Sequence, residues 1–148
     1  MTHSARRLKP VLTALTVLSV TFLIGHSSTS QAHSGHTPNV CSATASAVCA
    51  HLGFDAEPNS TDSWSFMLHF MPAAGVDPKL ITNVSAKLWM DMGSHSHGSS
   101  PVTIAAVDDV HYQVTDAYFP MAGPWQVKVG FTYDSINHEI IIPVMVGK

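Results

Sequence analysis

The chain has 148 residues, with seven Lys and Arg against ten Asp and Glu, ten His, seven Met and two Cys. A net charge of −3 with only 11% charged residues excludes a basic nucleic-acid surface, and the length fits one domain with a modest core.

Arg6, Arg7 and Lys9 precede an uncharged apolar run from Val11 to Ile24, which is the layout of a secretory signal. The run is short of the roughly 20 residues that a spanning helix needs. Ser30-Gln31-Ala32 places small residues where signal peptidase reads them, so residues 1–32 are expected to be a signal peptide, with His33 the mature N-terminus. Its removal leaves four basic residues against ten acidic ones. The protein is expected to be periplasmic or secreted, with no membrane span after cleavage.

Residues 33–61 are rich in Ser, Ala, Thr, Gly, His and Pro and are expected to form a loosely structured arm. Cys41 and Cys49 are the only cysteines, and in an oxidising compartment they are expected to pair as a disulfide that pins the arm.

Residues 62–148 are read as the folded domain. In "WSFMLHF" Trp64, Phe66, Leu68 and Phe70 fall on one face, the period of a half-buried strand. A turn-rich stretch with Pro72, Gly75 and Pro78 follows, after which Val84, Ala86, Leu88, Met90 and Met92 alternate with polar or outward residues. Four more strands are expected at "PVTIAAV", "VHYQVTDAYF", "WQVKVGFTY" and "HEIIIPVMV". Short strands, frequent turns and no amphipathic helix predict an all-β, immunoglobulin-like antiparallel β-sandwich. A further strand from the arm or from the Pro72 to Thr82 region would bring it to about seven.

The order "KLWMDMGSHSHGSSPVTI" then "YQVTDAYFPMAGPWQVKVGF" resembles the YtkA-like/FixH-like domain family. There a strand ends in Met-x-Met-Gly, and a later Phe-x-Met-x-Gly-Pro-Trp turn precedes a valine-rich strand. The resemblance covers about 60 to 85 residues toward the C-terminus. It implies a small sandwich outside the cytoplasmic membrane, tied to copper handling or to assembly of copper-containing oxidases. The chain departs from the family in two ways. FixH-like proteins keep a membrane anchor, and where the family often has further methionines, Ser-His-Ser-His follows Gly93.

Copper alternates between Cu(I), which favours thioether sulfur, and Cu(II), which favours imidazole, and a mixed Met/His site suits both. Met90 and Met92 share one side of a strand about 7 Å apart, and Gly93 could supply the bend that lets them converge. Met90 also continues the core stripe, where methionine is a good gap filler. His95 and His97 lie in an expected loop from Gly93 to Ser100, and clustered His beside Met is a metal-type composition. By the family resemblance, Met121 would stand at the same end of the sandwich. At the mature N-terminus, His33 would offer its amine and imidazole to one ion, with His36 three residues on. His69, His111 and His138 read as ordinary surface or turn histidines.

No catalytic motif is present, and Asp108-Asp109 reads as a turn. The expected function is therefore that of a non-enzymatic copper carrier, buffer or donor, with a copper-dependent oxidase or copper transporter as partner. The competing expectation is an interaction module that binds no metal. A histidine-brace oxidase built on His33 ranks last.

Overall fold

The computed structural model describes residues 35–148. The expected signal peptide and His33 lie outside them. The described residues form ten β-strands and one short 3-10 turn at Pro78–Leu80, and no helix among them is long and apolar enough to cross a membrane.

The strands are β1 (Gly35–His36), β2 (Val40–Cys41), β3 (Val48–Phe54), β4 (Ser63–Pro72), β5 (Thr82–Asp91), β6 (Ser96–Gly98), β7 (Thr103–Ala106), β8 (His111–Tyr118), β9 (Gly123–Tyr133) and β10 (Ile136–Val146). They build two antiparallel sheets. One runs β1-β3-β4-β8-β7, with β2 also on β3, and the other runs β10-β9-β5-β6. The expected all-β sandwich is what the chain forms.

Alternation drives this packing. In β3, Val48, Ala50, Leu52 and Phe54 are buried while Cys49, His51 and Gly53 face outward, and β4 repeats the pattern with Phe66, Leu68 and Phe70 inside. From the other sheet Leu88, Trp125, Val127, Val129 and Phe131 complete the core with alternate residues of β10. Burying side chains of this size removes roughly 1.5–3 kcal/mol of unfavourable hydration each, as an upper estimate.

The structure corrects the expected organisation in three places. The described part of the expected arm, residues 35–61, is not loose, because β3 lies inside the first sheet between β4 and the β1/β2 edge. Its small residues had hidden a strand of strict alternation. The count is ten strands and not seven, the extra ones being the short β1, β2 and β6. Finally, Gly93 to Ser100 is not wholly loop, since Ser96–Gly98 pair with β5.

β1 and β2 form one interrupted edge strand, pairing with opposite ends of β3. At the break Thr37 keeps the ladder closed, its N–H donating to Leu52 O at 3.0 Å and its hydroxyl accepting from Leu52 N at 2.8 Å. Cys41 and Cys49 lie opposite each other across β2 and β3 and are joined by a disulfide, as expected. The β9–β10 hairpin turns on Asp134 and Ser135, both at positive φ (50° and 67°), the conformation of a type I′ turn, whose twist matches that of the strands.

Candidate functional site

β5 and β6 form a hairpin at one end of the second sheet. Met90 pairs with His97 and Asp91 with Ser96, and the Met92 N–H donates to His95 O at 2.9 Å. Gly93 takes φ +79°, and its N–H is held by Asp91 Oδ1 at 2.9 Å. Residues directly opposite in an antiparallel pair share a face, and side chains alternate along each strand. Met90 and His97 therefore share one side of the hairpin, with Met92 and His95 in the turn just beyond the paired residues.

The environments of these side chains differ. Met90 is 4% exposed and belongs to the core, whereas Met92 is 48% exposed and both histidines are open to solvent. The His95 and His97 rings stand edge to face with centroids 5.1 Å apart, and Ser94 Oγ lies 3.0 Å from His95 Nδ1.

The turn bearing Met121 comes to this region through Gly123. A Cβ on Gly123 would lie 3.4 Å from the Met90 methyl carbon, so the turn leading into β9 runs alongside Met90. Met121 is half-buried against the core, and its carbonyl accepts the indole N–H of the buried Trp125 at 2.8 Å. Among the described residues no three His, Cys or carboxylate groups already stand around a common point that could hold an ion.

The opposite sheet carries a second arrangement that periodicity alone did not reveal. On its outer face His51 pairs with His69, and His69 with His111, in direct cross-strand register on β3, β4 and β8. His36 on β1 extends the row. Ring centroids are 5.6 Å apart for His36–His51, 5.0 Å for His51–His69 and 4.2 Å for His69–His111, the last pair stacked within 20°. Gly53 makes room for His36, because a Cβ there would fall 3.3 Å from the His36 ring.

The chain finds no match among family models, curated proteins or solved structures.

Asp108 anchors the end of the row. Its carboxylate accepts from the backbone N–H groups of Val110 and His111 at 2.9 and 2.8 Å, and it lies 2.8–2.9 Å from His111 Nδ1. The Val110 N–H first, and then the His111 ring and backbone N–H, hold the Asp108 carboxyl below its ordinary range. An ionised carboxylate can only accept, so His111 Nδ1 carries a proton, and in the neutral ring this tautomer leaves the lone pair on Nε2. Burial, followed by repulsion from neighbouring histidines, pushes His51 and His69 below their ordinary value near 6.5. His51 Nδ1 is buried with no hydrogen-bond partner.

His36 is thus part of the row, and His33, its expected co-ligand, is outside the described residues. His69 and His111, expected from sequence to be ordinary surface or turn histidines, are neighbours in space. The signal was present in outward-facing histidines on three strands, but only their register aligns them. His138 stands apart, with Nδ1 2.8 Å from Thr44 Oγ1.

Proposed function

We propose that this chain is an exported copper-binding module, a carrier, buffer or donor of the ion and not an enzyme, and that it takes copper at the β5–β6 hairpin through Met92, His95 and His97, with Met121 from the adjoining turn. The observation that carries this reading is the tight turn of the hairpin, which gathers an exposed thioether and two exposed imidazoles within a few residues, the two rings 5.1 Å apart. Thioether sulfur with imidazole suits copper better than zinc or nickel. The resemblance to the YtkA-like/FixH-like family points the same way, and the disulfide fits an oxidising compartment outside the cytoplasm.

Met90 is a core residue first; its contribution is to hold the strand end against Gly123. The test is Cu(I) affinity, measured by competition with a chromophoric chelator, for the parent protein and for His95→Ala/His97→Ala. Weakening by about tenfold or more, the equivalent of 1.4 kcal/mol, is expected. Unchanged affinity would sink the hairpin assignment.

A second reading follows from β10. This edge strand of 11 residues exposes Ile136 (60%), Ile141 (43%) and Met145 (71%), and an exposed apolar edge invites pairing. Under it the domain is an interaction module that contacts an oxidase or transporter subunit without metal. Metal analysis of protein exported from copper-supplemented cells separates the two, a copper-free product favouring the second.

A further inference from the structure

We propose that the histidine row on the outer face of the β3–β4–β8 sheet is a second metal site, built from His51, His69 and His111 and taking a divalent first-row transition ion such as Zn(II) or Cu(II). This inference does not rest on the hairpin reading; it stands on different residues in the other sheet.

Three features carry it. The first is register, because His51, His69 and His111 are direct cross-strand partners and the sheet backbone itself holds three imidazoles side by side. The second is the Asp108–His111 pair. A carboxylate that fixes the proton on Nδ1 and leaves Nε2 free is the outer half of a carboxylate–histidine–metal arrangement, which orients the ring and strengthens it as a donor. The third is the orphaned His51 Nδ1. A buried polar atom without a partner costs about 1–3 kcal/mol, and an ion gives such a nitrogen something to bind once the ring turns.

His69 and His111 now stack while His51 meets His69 edge to face, and their nitrogens do not converge. Metal–nitrogen bonds of about 2.0–2.1 Å require ring rotations on a partly exposed face, with no change in strand pairing. The adjoining cross-strand row is His36, Gly53, Met67 and Gln113, where Gly53 has no side chain beside the rings. Imidazole nitrogen favours Cu(II) over Zn(II) in affinity, while three imidazoles satisfy the geometry of either.

The test uses untagged exported protein titrated with Zn(II) alone near neutral pH. The imidazole nitrogens are followed by heteronuclear NMR and the heat by calorimetry. The expected result is that the His51, His69 and His111 resonances move together, and that one equivalent of Zn(II) is still bound by His95→Ala/His97→Ala. His69→Gln should bind that equivalent about tenfold or more weakly, and Asp108→Asn should weaken it about 10–100-fold at unchanged stoichiometry. His138→Gln should bind as the parent does. Because the NMR arm needs no variant, a folding defect in His69→Gln leaves the proposal exposed to refutation. Zn(II) that leaves the three resonances unmoved, or that binds His69→Gln as tightly as the parent, overturns it. Loss of the equivalent in the hairpin variant alone would assign the ion to the hairpin and also overturn it.

Discussion

Met90 stands directly across from His97 in the β5–β6 pair, yet one side chain is sealed in the core and the other is open to solvent. The hairpin overhangs the sandwich: β5 continues the core stripe up to Met90, and β6 is the edge of its sheet. This contrast separates the two methionines energetically. Met90→Ala should destabilise the fold by about 2–5 kcal/mol, the usual range for emptying a buried site, whereas Met92→Ala should cost less than about 0.5 kcal/mol. Denaturant midpoints of the two variants check this. Under the copper reading, the order reverses for Cu(I) affinity, with Met92→Ala the more affected.

Gly93 is the second control point. At φ +79° an L-residue is strained, while a Cβ would meet nothing within 4 Å, so the cost of substitution is conformational and not steric. Gly93→Ala should lower stability by about 1–2 kcal/mol and loosen the spacing between Met92 and His95. Thermal unfolding reads the first effect. A Gly93→Asn variant, whose side chain tolerates this region better, should recover part of the loss.

The histidine row makes stability depend on pH. His51 and His69 are both pushed below 6.5 first by burial, then His51 by His36 and His111 and His69 by His111 and His51, with Asp108 opposing the shift at His69. The unfolded chain therefore binds more protons than the folded one once the pH drops under about 6.5, and stability falls as acid is added. Above that pH both states are neutral at these positions and the row contributes no slope. Urea midpoints between about pH 5 and pH 8 should show this loss on the acid side. Replacing His51 and His69 together by Gln should flatten it; an unchanged slope would assign the acid sensitivity to other groups.

The disulfide closes a short loop, Cys41 and Cys49 being eight residues apart. In the chain-entropy account such a cross-link stabilises by roughly 2–3 kcal/mol. A Cys41→Ser/Cys49→Ser variant should lose about that much while β3, held by β4 on its other side, stays paired. Amide exchange should show protection lost along the β2 edge around Val40 and retained at Leu52.

The strands from β4 onward were legible because the sequence alternates strictly there. Trp64 to Phe70 and Trp125 to Tyr133 each place their large apolar residues on one side, and that side is where the core formed. β3 was obscured by Ala50 and Gly53, small residues that weaken the hydrophobic signal without breaking the period. β6 was obscured because Ser96–Gly98 has no buried residue at all. Its existence depends on β5 as a template, which no local pattern encodes. The Met92, His95 and His97 grouping was visible in sequence because its members are adjacent. The row of His51, His69 and His111 was not, since its members are 18 and 42 positions apart and meet only through strand pairing.

The sequence by itself determined the fold class, the faces of the major strands and the disulfide, because all three follow from local alternation and from a single cysteine pair. Only the tertiary structure decided which outward-facing residues are neighbours. That depends on inter-strand register, and register is set by burying every inner face at once.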